Sequence, residues 1–325
     1  MMRLMEVSRA ARKGVVECAR LEPGENVLIL ADTAIDRGMV DAFANAAYAH
    51  GGDTQVMVFE TRPDINVEPP HAVAAAMAAS DLVIDLTSQY FIHTVAYQKV
   101  RDGGARILCA TGISEDMLVR LVGSVDYAAM ASLGHRVTQR FVRGHECRVE
   151  TGQGAVLTMQ LGGRPAWLRD GILGGKGDLD YLPGAQMSIA PIEESVEGVI
   201  LIDGTAYPPV KLLASPMELE YQHGRLVRAE GGAAAAWMQW LGKFSDPKMF
   251  FVGHVSVGLN SAAKLSGAIL EDERLPGCFD IGMGSQMKHL AGRLGKAASH
   301  SDVVATAPRI LVDGELLADR GQFLV

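Results

Sequence analysis

Short apolar runs alternate with amphipathic stretches through the first third of the chain. Glu25 to Ala31 (ENVLILA), Thr54 to Phe59 (TQVMVF), Leu82 to Leu86 and Ala105 to Ala110 each read as a short strand bounded by turn residues. Between them, Gly38 to His50 and Pro69 to Ala79 carry apolar residues at helical spacing, and Gly51 and Gly52 stop the first helix. The leading segment is also amphipathic, with Val7, Ala11, Val15 and Cys18 on one face. Strands that are apolar on both faces and alternate with helices predict a parallel sheet covered by helices, Rossmann-like in topology. Asp32, Thr33 and residues 87–90 follow strand ends, where such sheets open towards ligands.

The rhythm changes at about Asp126, where strand-like segments become more common than long helices. Glu146 to Met159, Met217 to Glu230 and Ile310 to Leu317 read as hairpins, the second turning at His223 and Gly224 and the third at a DG pair. Met187 to Ala190, Val199 to Asp203 and Phe250 to Val257 read as strands, and Gly232 to Leu241 as a helix. The expected class is therefore α/β. Residues 1–125 form a parallel α/β domain, and residues 126–325 form an α+β domain that carries the chemistry. A length of 325 residues agrees with two domains at roughly 150 residues each.

Composition narrows the function. A net charge of −8 argues against a general nucleic-acid or anionic-membrane surface, and no apolar run reaches membrane-spanning length. No secretory leader is evident. The four cysteines, Cys18, Cys109, Cys147 and Cys278, lie far apart without a CxxC, which fits reduced thiols in a cytoplasmic protein. No GxGxxG follows the first strand, no GxxxxGK[ST] occurs, and no GxSxG elbow is present. These absences disfavour nicotinamide-dependent, P-loop and serine-hydrolase chemistry. The glycine-rich stretch at 171–177 follows no apolar strand and reads as a turn.

The densest polar cluster is near the C-terminus. On an extended segment, His300 and Asp302 would point to the same side and reach one metal ion. His254 lies in GHVSVGLN, where it would share a strand face with Ser256, opposite Val255 and Val257. Two histidines and a carboxylate form a facial set that suits non-haem Fe(II), while zinc takes the same donors; spacing does not choose between them. Asp280 stands in an apolar neighbourhood that a carboxylate enters only if paired or functional. Glu193 and Glu194 are adjacent, so one at most faces a site. His145 and Glu194 are further acid or base candidates, Arg309 could pair with an anionic substrate, and Glu271 to Glu273 read as a solvated turn.

IAPIEESVEG, GHVSVGLN, ILEDERLPGCFDIGMG and HSDVVATAPRILVDGELL occur in that order. Together they resemble the superfamily of aminopeptidase T-like metallopeptidases and 2,5-dihydroxypyridine 5,6-dioxygenases. The peptidase branch carries a glutamate where this chain has His254 and a histidine where it has Asp280. Glu193 or Glu194 matches the first peptidase glutamate. His300 and Asp302 match both branches. The dioxygenase branch holds ferrous iron on two histidines and an aspartate, which map onto His254, His300 and Asp302. The resemblance implies opening of a hydroxylated pyridine or related ring by dioxygen, with 2,5-dihydroxypyridine to N-formylmaleamate as the leading case. It also implies a homo-oligomer. A metal-dependent aminopeptidase or amidohydrolase is the alternative.

Overall fold

The computed structural model describes residues 2–325. Two compact units emerge, one from Met1–Ala128 with Arg169–Gly184 and the other from Ala129–Leu168 with Ala185–Val325.

The first unit is built on a parallel five-stranded sheet. Its order is Asp53–Phe59, Asn26–Asp32, Leu82–Asp85, Arg106–Cys109 and Leu179–Tyr181. Numbered along the chain within this sheet, the order is 2-1-3-4-5, as in flavodoxin-like sheets rather than the 3-2-1-4-5 of dinucleotide-binding ones. The interior strands are buried because their residues are apolar on both faces, as the runs ENVLILA and ARILCA predict. Helices Arg37–Ala49 and Val95–Asp102 begin where Asp36 and Thr94 accept backbone amide bonds from the first turn. The fifth strand was not legible in the sequence: three residues are too few for a periodic signal.

The expected opening at the strand ends exists but is small. Asp32, Arg62, Thr87, Gln89 and Tyr90 help line a cavity of about 10 Å³, room for roughly one water. The Asp32 carboxylate accepts bonds from the Ala34 amide and from the Ser88 amide and hydroxyl. All four cysteines are free and buried, and burial pushes the Cys109 thiol up to about 12, which suits a core residue and not a nucleophile.

The second unit is largely antiparallel, with an eight-stranded and a seven-stranded sheet. The hairpin Met217–Gln222 with Arg225–Gly231 turns at His223 (φ 49°) and Gly224 (φ 74°). Asp313 (φ 52°) and Gly314 (φ 78°) turn the hairpin of Arg309–Val312 with Glu315–Asp319. Both pairs have the two left-handed residues that a tight two-residue hairpin requires.

The seven-stranded sheet runs Val210–Leu212, Thr205–Tyr207, His300–Ala305, Phe279–Gly284, Val252–Gly258, Gln186–Ile189 and Ala166–Arg169. Its register sorts the side chains. His254 lies opposite Gly282, which lies opposite Asp302; Ser256 lies opposite Asp280. Val255, Ile281 and Val303 pair across the same strands and take the other face, as strand alternation demands. One face is thus polar and the other apolar core. On the apolar side, buried Trp237 of helix Ala234–Gly242 donates its indole N–H to Ser301 Oγ at 2.8 Å.

Glu271 to Glu273 depart from the expected solvated turn. Glu271 and Asp272 are buried, with Arg274 beside them. The Asp272 carboxylate accepts bonds from the Ser266 and Gly267 amides and the Thr205 hydroxyl, and Glu271 accepts one from the Lys264 amide. A charge run is legible in sequence, but these loop amides, which make its burial affordable, are not. Among the described residues, no helix is long and apolar enough to cross a membrane.

The apolar face of this sheet gives a stability prediction. Ile281→Ala should lower the unfolding free energy of the second unit by about 2–5 kcal/mol. All three tryptophans, Trp167, Trp237 and Trp240, belong to that unit, so their fluorescence in a urea titration reads it selectively. A change below about 1 kcal/mol would place Ile281 outside a packed core.

Candidate metal centre

Three neighbouring strands build the site. His254 comes from Val252–Gly258, His300 and Asp302 from His300–Ala305, and Phe279–Gly284 runs between them. One ligand atom from each of His254, His300 and Asp302 lies within 4.8 Å of the others, and among the described residues this is the one such group of three or more. The imidazoles stack with centroids 5.0 Å apart and planes 15° apart. His300 Nε2 is 3.0 Å from Asp302 Oδ1, and His254 Nε2 is 3.7 Å from that same oxygen. The nitrogens and the carboxylate oxygen therefore converge, and the donors are those of a mononuclear two-histidine, one-carboxylate centre.

Gly282 makes that convergence possible. It is the residue of the middle strand that lies directly between His254 and Asp302. A Cβ at this position would lie 2.2 Å from His254 Cε1, 2.5 Å from Nδ1 and 2.7 Å from Nε2. The imidazole thus lies across the strand where any other residue would put its side chain. A β-bulge at Gly253, between Val252 and His254, re-aims the histidine strand at the same place. Sequence reading missed both glycines, since their role depends on strands far apart in the chain. The IGMG pattern was visible, but not what lay beside it.

Electrostatics follow the geometry. Burial opposes a charge on His300, but the Asp302 carboxylate bonded to its Nε2 outweighs burial and raises the imidazole above its ordinary value. A cation at the site would take the place of the proton that this pair holds. Exposure of the side chains rises from 5% at His254 to 16% at Asp302 and 32% at His300, so the centre opens on the His300 side.

The other candidates separate clearly. Asp280 is fully buried on the polar face, its Oδ2 3.7 Å from His254 Nε2, so the structure brings it to the ligands. His145 is largely exposed and lies 3.5 Å from Asp313 beside the eight-stranded sheet. Arg309, in that same sheet, pairs with Glu150 at 2.8 Å and Asp319 at 3.8 Å. Glu194 is exposed and pairs with Arg293 at 2.7 Å.

Glu193, the other half of that acidic pair, is buried and gripped by Arg164 through bonds of 2.6 and 3.0 Å. Burial alone would raise its carboxyl, but the Arg164 bonds and the Arg293 backbone amide pull it down to about 2. This is a structural ion pair between buried partners.

Two predictions follow from this geometry. Gly282→Ala should leave the fold intact and weaken metal binding on the order of 10- to 100-fold, read by competition with a chelator; unchanged affinity would mean that the His254 ring has room to spare. Because the Glu193 carboxyl titrates lower when folded than unfolded, its stabilisation is complete above about pH 4.5 and is lost as pH falls towards about 2. Glu193→Gln should remove about 3 kcal/mol of that acid-sensitive stability, seen as a flatter dependence of urea midpoint on pH; a parallel curve would contradict the assignment.

Comparison with known proteins gives the family and the fold. The family described as 2,5-dihydroxypyridine 5,6-dioxygenase matches residues 8–325. The 2,5-dihydroxypyridine 5,6-dioxygenase of Pseudomonas putida is 25% identical over 212 residues, which cover 64% of this chain and 59% of that protein. The aligned chain thus spans less than two thirds of that relative's length. The solved 2,5-dihydroxypyridine dioxygenase from Pseudomonas putida superposes with a TM-score of 0.81 at 18% identity, covering 99% of this chain and 98% of that one. Wild-type AmpT from Thermus thermophilus gives a TM-score of 0.71 at 16% identity, covering 99% of both chains. At those identities the two superpositions carry the fold alone, and it is the match over 8–325 that makes this chain a member of the 2,5-dihydroxypyridine 5,6-dioxygenase family.

Proposed function

We propose that the chain is an Fe(II)-dependent ring-cleaving dioxygenase that opens a hydroxylated pyridine or a related ring. 2,5-Dihydroxypyridine, converted to N-formylmaleamate, is the first substrate to test. The observation that carries this reading is the convergence of His254, His300 and Asp302 on one point, with no other group of three metal-binding side chains among the described residues. Family membership supports it. Fe(II) held by this set would supply binding of a substrate hydroxyl and of dioxygen and a path for electrons between them.

The chain's own residues supply the rest. His254, Asp302 and His300 would hold the ion, His254 being the most buried of the three and His300 the most exposed. Asp280 would accept the proton that a substrate hydroxyl loses on binding, since it is the further carboxylate that reaches the ligands. His145, Glu194 and Arg309 hold their own partners elsewhere and have no assigned step in this reading. The same reading treats residues 1–125 as a parallel α/β scaffold and 126–325 as the metal-binding catalytic part, with the chain working as a homo-oligomer.

A metal-dependent aminopeptidase or amidohydrolase is the competing reading, and it commonly needs a second ion beside an activated water. Glu193, the candidate for an extra ligand, is instead engaged by Arg164.

The test is oxygen uptake by Fe(II)-loaded protein with 2,5-dihydroxypyridine, followed by identification of the product. His300→Ala should abolish both bound iron and uptake while the circular dichroism spectrum stays unchanged. Asp280→Asn should keep its iron and lose about 10²- to 10⁴-fold in kcat. Full uptake by His300→Ala would sink the ligand assignment, and peptide or amide hydrolysis without oxygen would favour the competing class.

A further inference from the structure

Gln286 lies outside the ligand set, yet every polar atom of its side chain is engaged. It is buried at the start of the segment that leads from Phe279–Gly284 into the His300 strand. Its Nε2 donates to the Gly253 carbonyl at 2.9 Å and to Glu193 Oε1 at 3.3 Å. Its Oε1 accepts from the Leu294 amide at 3.0 Å and the Gly295 amide at 3.5 Å, and its own backbone amide donates to the Gly295 carbonyl at 2.8 Å. Two donors meet two acceptors and one acceptor meets two donors, which uses the full capacity of an amide in this position.

These partners matter for what they adjoin. Gly253 is the bulge residue beside His254. Leu294 and Gly295 belong to the segment that delivers His300. Glu193, held by Arg164, can only accept, so it fixes which end of the amide faces Gly253. Gly292 packs directly on the amide, since a Cβ there would lie 2.1 Å from its atoms, so a residue with a side chain at 292 would displace it.

We infer that Gln286 is a positioning residue of the metal centre. It ties the bulge that aims His254 to the segment that delivers His300, and it sets the spacing of the two imidazoles before any ion arrives. The inference rests on the metal-centre reading and reaches past it, because none of its atoms belongs to the ligand set. Neither His254 nor His300 alone needs this amide to stay in its strand. Both strands are bonded to the middle strand, and Gln286 adds a tie between the bulge and the His300 segment that the ladder does not make.

The experiment compares Fe(II) affinity, by anaerobic chelator competition, in the wild type and in Gln286→Met, which keeps the volume and removes the bonds. The variant should bind Fe(II) about 10- to 100-fold more weakly. The lost bonds lower its melting temperature, so the control is amide exchange within the same unit: the strand Glu197–Ile202 should exchange as in the wild type, which separates a displaced imidazole from an unfolded unit. Affinity within twofold of wild type would overturn the inference. Wild-type protein that binds no Fe(II) would overturn the metal-centre reading instead. If Gln286→Met does not fold, amide exchange of the metal-free wild type decides: Leu294 and Gly295 protected without metal agree with a preset clamp, and free exchange at both contradicts it.

Discussion

The centre depends on one missing atom. Three antiparallel strands stand side by side, and the middle one has no Cβ where the outer two must bring their ligands together. Strand spacing is close to 4.8 Å, so side chains two strands apart cannot meet unless the row between them is empty. Gly282 empties it, and the His254 ring lies in the space. The bulge at Gly253 and the Asp302 carboxylate are adjustments around that vacancy. So is the alternation of the middle strand, which leaves Asp280 on the same polar face while Ile281 closes the core behind it.

Much of this was legible in the chain, and the reasons differ by element. The interior strands of the parallel sheet are apolar on both faces, so their runs declare themselves without any neighbour. Asp313–Gly314 and His223–Gly224 declare hairpins through local backbone preference. The His300–Asp302 pair was readable because two-residue spacing on a strand fixes a shared face. The opposite faces of His254 and Val255 were readable for the same reason. What lay hidden was set by partners distant in sequence. Nothing near Glu193 shows that Arg164 will hold it, and nothing near Glu271 to Glu273 shows that loop amides will bury them. The short strand Leu179–Tyr181 joins the parallel sheet across a long excursion, and no local pattern marks it.

The same distinction separates what the fold fixes from what the side chains fix. AmpT and the dioxygenase from Pseudomonas putida both superpose on this chain over nearly its whole length, so the scaffold does not choose between them. The choice falls to a few side chains on one sheet face. In the proposed reading these are the imidazole of His254 and the carboxylate of Asp280, while Arg164 draws Glu193 into an ion pair. Breaking such a pair leaves a buried charge without compensation, which costs several kcal/mol, so Glu193 is not free to serve a second ion.

The number of metal ions per chain tests this account most directly. Protein purified without oxygen and without added metal, assayed for every transition metal, is expected to hold one iron per chain. Two ions per chain, of zinc, manganese or cobalt, would contradict the mononuclear centre and with it the roles given to Glu193 and Gly282.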